Sequence, residues 1–143
     1  MVCGLLLYMT RKKKDIILSR DYVGQKPLYY SKSESYYIFS SQIDGLLLDQ
    51  NISRELSKDN LKKYFAYSHV PGSGTIFKNI HQVIPGENIV INAENLKLNK
   101  SIYWDLNSGP DYNLFFKKTK KKDFNNNFNE IIKNHTIADK PPA

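Results

Sequence analysis

The order of residue patterns along the chain predicts an α+β fold built from antiparallel strands. Apolar and aromatic runs separated by short polar turns occupy the first 40 residues, two stretches of helical character lie between residues 44 and 70, and two more strand-like runs reach residue 104. Runs of β-branched and aromatic residues favour a pleated sheet, whereas apolar residues three or four apart favour a helix. The sequence contains no internal repeat.

Two hairpins are predicted in the N-terminal part of the chain. Residues 2–8 form a nearly continuous apolar run, which is typical of a buried strand, and residues 16–19 resume it after the polar turn 11–15. Residues 28–30 and 36–40 repeat this form on either side of another polar turn.

Helices are predicted next. Residues 44–48 are a short candidate, and Ser57 can cap the N-terminus of a longer helix. The apolar residues of this longer helix lie at helical spacing: Leu61, Tyr64 and Phe65. Pro71 and Gly72 are expected to end it.

A third hairpin and a boundary follow. Pro85 and Gly86 predict a turn before the strand 88–91, and the strand 96–104 is expected to pair with it. Residues 107–112 read as a linker, so we predict two parts, residues 1–106 and residues 107–143. The second part contains a helix with one apolar face, formed by Phe124, Phe128, Ile131, Ile132 and His135.

Composition limits the possible partners. The 143 residues carry a formal net charge of +7, concentrated in the basic runs 11–14 and 117–122. Such runs can attract nucleic acid or anionic membrane, but they are more often a hairpin tip and a solvated linker, so we expect neither partner. No apolar run is long enough to cross a bilayer, and the single cysteine cannot form an internal disulfide. We therefore expect a cytoplasmic location.

Neither a metal site nor a phosphate-binding loop is expected. His69, His81 and His135 lack the spacing of metal ligands and have no cysteine partners. Gly72 and Gly74 are not followed by the Gly-Lys-Ser/Thr pattern of a phosphate-binding loop. The chain is therefore expected to bind no cofactor itself.

The segment SRDYVGQKPLYY, residues 19–30, is the most informative one. Asp21 can accept backbone N–H bonds at the mouth of a turn, Gly24 can take a positive φ, and Pro27 fixes φ before the next strand. Physical chemistry alone predicts a tight hairpin here and no reaction.

This segment resembles the class II glutamine amidotransferase domain of glutamine-hydrolysing asparagine synthetases. That family has an Arg-Asp pair, a glycine three residues later and then Lys-Pro-Leu-Tyr-Tyr. Further matches follow in the family's order, ending with HTIADKPPA, which is similar to the run before the synthetase domain's pyrophosphate-binding loop. The residues that carry the resemblance are Arg20, Asp21, Gly24, Pro27, Leu28, Ser41, Gln42, Thr75, Phe77, Pro85, Gly86 and Trp104. Gln42 replaces the family's usual glutamate and removes a charge, so an ion pair is not expected there.

The resemblance implies a fold and an activity. The family's amidotransferase domain is a four-layer αββα sandwich of the N-terminal-nucleophile type, with two antiparallel sheets between helices. Residues 1–106 would be its C-terminal half, and residues 107–143 would be the linker and first helix of the synthetase domain. The parent enzyme would use ammonia from glutamine to amidate aspartate, with ATP and Mg²⁺ at the synthetase domain.

Cys3, in the opening MVCG, is considered as a nucleophile and rejected. A nucleophilic thiol needs an activating base within hydrogen-bond reach, and in this family the base is the free α-amine of an N-terminal cysteine. Removal of Met1 would leave Val2 first, so the nitrogen of Cys3 would be an amide that cannot accept a proton. Cys3 also lies much closer to Arg20 than the family's nucleophile lies to its Arg-Asp pair. We expect Cys3 to be a buried apolar residue and the chain to contain no catalytic residue.

Two alternatives stay open. The chain could be a non-catalytic basic binding module, which would show salt-sensitive affinity for nucleic acid. It could also be one part of a split amidotransferase. A truncated gene model, a decayed gene and a split gene are not distinguished by the sequence, and neither is an amide acceptor other than aspartate. As half of a sandwich, the chain is expected to be inactive, marginally stable and prone to aggregate.

Overall fold

Seven strands form two antiparallel sheets in the computed structural model, which describes residues 5–9, 14–105 and 121–135. The strands are β1 (Leu5–Met9), β2 (Asp15–Arg20), β3 (Tyr29–Lys32), β4 (Tyr37–Ser40), β5 (Ile80–Gln82), β6 (Glu87–Asn92) and β7 (Leu98–Ile102). The helices of the described ranges are α1 (Ile43–Leu47), α2 (Lys58–Tyr67) and α3 (Lys121–His135). The prediction of an α+β fold is confirmed, whereas the four-layer sandwich stays a prediction.

The larger sheet, sheet A, has the strand order β1-β2-β6-β7. The predicted hairpins β1–β2 and β6–β7 are confirmed, and β2 joins them by pairing with β6, with Leu18 opposite Ile89. β7 is shorter than the predicted strand 96–104 at both ends. Leu96 has a φ of 55° and belongs to the turn before the strand, and beyond Ile102 the N–H groups of Tyr103 and Trp104 both donate to the Gly86 carbonyl oxygen.

The smaller sheet, sheet B, has the order β4-β3-β5. The β3–β4 hairpin agrees with the sequence prediction, but β5 was not predicted. β5 contains only three residues, too few for an alternating pattern to stand out, and it pairs with β3 across a long sequence separation.

The prediction of a tight hairpin over residues 19–30 is wrong. β2 lies in sheet A and β3 lies in sheet B, so residues 21–28 carry the chain from one sheet to the other. The turn-forming residues are used as expected, but each strand finds its partners elsewhere in the chain. Local turn chemistry sets the shape of this loop, and long-range pairing sets what it connects.

Sheets A and B pack face to face around the main core. Its buried residues come from both sheets and the adjoining loops: Leu18, Leu28, Tyr30, Val83, Ile89 and Ile91. Successive residues of β3 face opposite sides, as the pleat requires, so Tyr30 joins this core while Tyr29 joins the core on the other side of sheet B.

Helix α1 covers the second face of sheet B. Leu46, which is fully buried, packs with Ile52 and Ile80 in a second apolar cluster. The helix begins one residue earlier than predicted and ends at Leu47.

Helix α2 begins as predicted but ends earlier. The Ser57 hydroxyl accepts a hydrogen bond from the Asn60 N–H at 3.3 Å and caps the N-terminus. Ser68 takes a left-handed conformation with φ 59°, so the helix ends at Tyr67, before Pro71 and Gly72 are reached. Although α2 is described in full, none of its residues is buried.

The chain divides into two compact units, residues 1–105 and residues 106–143. Within the second unit the described element is α3, and its predicted apolar side chains are half exposed: Phe124, Phe128, Ile131 and Ile132. The linker 107–112, Cys3 and the terminal residues 136–143 lie outside the described residues. None of the described helices is both long and apolar enough to span a membrane.

Candidate functional site

The loop after β2 is organised around the carboxylate of Asp21. Its Oδ1 accepts hydrogen bonds from the N–H groups of Val23 at 3.0 Å, Gly24 at 2.6 Å and Gln25 at 3.1 Å. Oδ2 accepts a further bond from Gln25 at 3.0 Å, and Gly24 has the predicted positive φ of 72°. The expected role of Asp21 as an acceptor of backbone N–H bonds is confirmed.

These donors control the charge of Asp21. Burial by itself raises the pKa of the carboxyl, but hydrogen bonds from the backbone N–H groups of Gln25, Gly24, Val23 and Lys26 outweigh it. The pKa of Asp21 is therefore lowered, and the side chain is ionised at neutral pH although only 6% of it is exposed.

Arg20 connects the end of β2 to the residues that follow β5. Nη1 donates to the Val83 carbonyl oxygen and Nη2 donates to the Gly24 carbonyl oxygen, each at 2.8 Å. With its amide oxygen turned towards the guanidinium, Gln82 accepts from Nη1 at 2.6 Å. These acceptors are all neutral, and no ion pair of the described residues includes Arg20 or Asp21.

Gly86 brings the end of β7 against the same loop. Its N–H donates to the Asp21 carbonyl oxygen at 3.2 Å, and its own carbonyl oxygen accepts from Tyr103 at 2.8 Å and Trp104 at 3.3 Å. A Cβ at Gly86 would lie 2.2 Å from the Trp104 backbone oxygen, so this approach requires glycine.

Aromatic contacts close the arrangement. The Tyr103 hydroxyl donates to the Arg20 carbonyl oxygen at 2.7 Å, and the Tyr22 and Trp104 rings lie 5.4 Å apart between centroids. Burial and the nearby Asp21 carboxylate raise the pKa of Tyr103.

The structure thus joins five predicted residues from three sequence motifs, which we call the motif cluster: Arg20, Asp21, Gly24, Gly86 and Trp104. Pro85 adjoins it, because a Cβ at Gly24 would lie 2.7 Å from Pro85 Cγ. Pro27 is half-buried at the end of the loop, and Leu28 is a core residue whose carbonyl oxygen accepts from the Val83 N–H at 2.9 Å.

Thr75 and Phe77 form a separate group beside α2. Thr75 Oγ1 donates to the Ile80 carbonyl oxygen at 2.8 Å and accepts from the Phe77 N–H at 3.1 Å. The Thr75 carbonyl oxygen accepts from Asn60 Nδ2 at 2.7 Å, which ties this loop to the first turn of α2. Phe77 packs against the core under α1.

Ser41 and Gln42 lie at the exposed start of α1. Gln42 is the N-cap residue, but its side chain makes no capping bond, and its N–H donates to Ser40 Oγ at 3.1 Å. The structure does not bring either residue into the motif cluster.

The three histidines are spread over the chain. His69 is exposed, with Nδ1 2.9 Å from the Tyr67 carbonyl oxygen, and His81 packs against Tyr30 in sheet B. The side chain of His135 lies outside the described part. Over residues 14–105 and 124–133, no group of three His, Cys, Asp or Glu side chains could hold a metal ion.

The chemistry of the motif cluster is that of a structural junction. Asp21 is an ionised acceptor with its oxygens engaged, and Arg20 donates to backbone and amide oxygens rather than to an open pocket. Sequence reasoning missed Val83, Gln82 and Tyr103 as partners, because their roles come from contacts with a loop about 60 to 80 positions away.

Comparison with known families identifies this junction as part of a known domain. The sequence profile described as a glutamine amidotransferase domain matches residues 4–104, a range that includes the whole motif cluster. The chain belongs to this family. The family resemblance inferred from the motifs is therefore confirmed.

Similar curated proteins extend the comparison. The chain is 33% identical over 112 residues to a putative asparagine synthetase (glutamine-hydrolyzing) of Methanocaldococcus jannaschii, covering 77% of the chain and 21% of that protein. It is 29% and 30% identical to asparagine synthetases (glutamine-hydrolyzing) 3 and 1 of Bacillus subtilis, covering 68% and 64% of the chain and 16% and 15% of those proteins. The chain thus spans between about one seventh and one fifth of the length of these relatives.

Proposed function

We propose that the chain forms the C-terminal half of the glutamine amidotransferase domain of a glutamine-hydrolysing asparagine synthetase. The observation that carries the proposal is the motif cluster, because residues from three separated motifs meet in one hydrogen-bonded junction. The names of the relatives in both organisms support the same assignment.

In this proposal the chain contributes architecture rather than reacting groups. Arg20 and Asp21 hold the crossing from sheet A to sheet B, and Gly86 holds the end of β7 against that crossing. The two packed sheets and α1 would form part of a four-layer sandwich completed by other segments of the enzyme. The chain alone would hydrolyse no glutamine.

The rest of the enzyme would carry the chemistry. Ammonia released from glutamine would pass to a synthetase domain, where ATP and Mg²⁺ would activate aspartate for amidation. The described residues do not fit these groups, because they hold no candidate metal site and no glycine-rich phosphate loop. We therefore assign ATP and Mg²⁺ to another domain. As a separate part of the proposal, the whole enzyme would be located in the cytoplasm.

The surface of α2 supports a role within a larger assembly. Phe65 is 82% exposed and Tyr67 62% exposed, and Tyr64 is about half exposed beside them. Adjacent large apolar side chains on a surface commonly mark a contact with another protein segment. The same observation favours the second candidate, one part of a split amidotransferase whose complement is a separate chain.

Activity measurements test the absence of catalysis. We expect the purified 143-residue chain to release no glutamate from glutamine and to form no asparagine from aspartate, ATP and glutamine. Glutamine hydrolysis that disappears in Cys3→Ala would contradict the proposal.

Sequencing the DNA on both sides of the reading frame separates the two candidates. In-frame coding for an N-terminal Met-Cys-Gly upstream and a Ser-Gly-Gly-x-Asp-Ser loop downstream would support one continuous synthetase. The same two segments in a separate reading frame would support a split enzyme. Stop codons and unrelated genes on both flanks, with no such segments nearby, would contradict both.

A further inference from the structure

A small cleft opens between sheets A and B among residues that the motif cluster does not use. Its volume is about 260 Å³. It is lined by Tyr30, Lys32, Tyr37, Asn79, His81 and Leu98.

Strand pairing explains why polar side chains reach this cleft. Tyr30 and Lys32 share one face of β3 because side chains two residues apart point the same way. Tyr30 is 4% exposed in the main core, and it lies opposite His81, whereas Lys32 lies opposite Tyr37. The inner face of sheet B therefore changes from apolar to basic within two residues.

Sheet A adds a second lysine from the opposite side. Lys100 of β7 lies opposite Ile89, a fully buried core residue, so its side chain starts on the inner face of the sheet. Lys100 does not itself line the cleft, but its Nζ lies 5.3 Å from the centre of the ring of Tyr30, which does. An inward lysine on an edge strand can serve to prevent edge-to-edge pairing, whereas Lys32 lies at the end of the central strand of sheet B, one residue beyond the last pair with β5.

The cleft carries positive charge without a described counter-charge. Lys32 Nζ lies 5.7 Å from the centre of the Tyr37 ring, and within residues 14–105 neither Lys32 nor Lys100 has a carboxylate within ion-pair distance. Burial, and then the charge of Lys100, lower the pKa of His81, so this ring is neutral at pH 7. Burial, and then Tyr30, raise the pKa of Tyr37, which is therefore uncharged as well.

We propose that this cleft binds a small oxyanion, a phosphate or a carboxylate group, between the ammonium groups of Lys32 and Lys100. Asn79 and His81 each supply a hydrogen-bond donor at the wall. The volume is ample for a small oxyanion and lies just below the range of about 300–1,000 Å³ that is usual for drug-sized organic ligands. The proposal is independent of the proposed function.

Nuclear magnetic resonance of the full 143-residue chain tests the site, with inorganic phosphate as the probe. We expect saturable shifts of the His81 imidazole signals and a rise of the His81 pKa, because a bound anion favours the imidazolium form. Lys100→Gln and Lys32→Gln should each weaken phosphate binding about tenfold. Lys97→Gln removes a charge from the exposed turn of the same β6–β7 hairpin and should leave binding within about twofold.

The arms of the experiment separate the two ligand sources. Tighter saturable binding of phosphate than of acetate would identify a phosphate group as the ligand, and the reverse would identify a carboxylate. Lys100→Gln should also raise the His81 pKa in phosphate-free buffer, which verifies that the variant keeps the cleft intact. The proposal is overturned if chloride at equal ionic strength reproduces the shifts, or if Lys97→Gln weakens binding as much as Lys100→Gln.

Discussion

Replacing Asp21 with asparagine keeps the shape of the side chain and removes the charge that the loop is built around. Asp21 Oδ1 accepts bonds from three backbone N–H groups between 2.6 and 3.1 Å, and one of these groups, that of Gln25, is also shared with Oδ2 at 3.0 Å. The amide oxygen can keep the first three bonds, but its NH₂ group would face the N–H of Gln25. The N–H of Gln25 therefore loses one of its two acceptor oxygens, and the remaining bonds lose their charge.

The magnitude follows from the difference between charged and neutral acceptors. A hydrogen bond to a charged group contributes about 1.5–3 kcal/mol to stability, against about 0.5–1.5 kcal/mol for a neutral bond. Val23 and Gln25 are exposed, so their N–H groups can recover part of the loss from water. We expect Asp21→Asn to lower the free energy of unfolding by about 2 kcal/mol and Asp21→Ala by about 3 kcal/mol.

Urea unfolding followed by tryptophan fluorescence measures this loss at the cluster itself. Trp104 is the single tryptophan of the chain. The centre of its ring lies 5.4 Å from the centre of the ring of Tyr22, the residue that follows Asp21. Because the pKa of Asp21 is lowered on folding, its stabilisation is complete above the unfolded pKa of about 4 and is lost as the pH falls through the folded pKa. The difference between wild type and Asp21→Asn should therefore shrink in acid.

Glu34→Gln is the matched control, since it converts an exposed carboxylate to an amide in the β3–β4 turn. It should change the free energy of unfolding by less than about 0.5 kcal/mol. Equal stability losses in Asp21→Asn and Glu34→Gln would refute the reasoning. A loss in Asp21→Asn that stays constant down to pH 3 would show that the charge is not responsible.

Three further predictions concern the packing of glycine, a buried histidine and an exposed aromatic ring. Gly86→Ala should lower the free energy of unfolding in urea by more than about 2 kcal/mol, because the new Cβ would lie 2.2 Å from a backbone oxygen. Gly72 also has a positive φ but its Cβ would meet no atom within 4 Å, so Gly72→Ala should cost about 1 kcal/mol, and equal losses in the two variants would contradict the contact. The lowered pKa of His81 predicts that its contribution to stability is complete above the unfolded pKa of about 6.5 and falls as the pH drops through the folded pKa. His81→Gln should therefore reduce the difference in the free energy of unfolding between pH 7 and pH 5, and an unchanged difference would contradict this reasoning. Because the Phe65 side chain is 82% exposed, Phe65→Ser should change the free energy of unfolding by less than about 0.5 kcal/mol and should reduce the concentration-dependent association that light scattering measures. Unchanged association would argue against α2 as the contact surface.

Features that depend on neighbouring residues could be predicted from the sequence. The N–H bonds to Asp21 and the positive φ of Gly24 follow from turn chemistry within four residues. The Ser57 cap depends on a residue three positions away, and the apolar face of α3 depends on helical spacing. These interactions have few competing partners, so the residue types alone identify them.

Helix α2 and strand β5 show where this reasoning ends. The apolar spacing of Leu61, Tyr64 and Phe65 predicts a helix but not whether its apolar face is covered, and in the structure no residue of this helix is buried. β5 is recognised through its pairing with β3, because three residues carry no reliable pattern of their own.

The sequence by itself determined the α+β class, the three hairpins, the Asp21 turn and the amidotransferase motifs. The tertiary structure decided that residues 21–28 cross between sheets, and that Arg20 bonds to a carbonyl oxygen 63 positions away. It also decided that Gly86 meets Trp104, and that Lys100 of sheet A lies over the ring of Tyr30 in a cleft lined by Lys32 of sheet B. Each of these contacts depends on which strands pair, and pairing is selected by the burial of whole sheet faces rather than by any local run of residues.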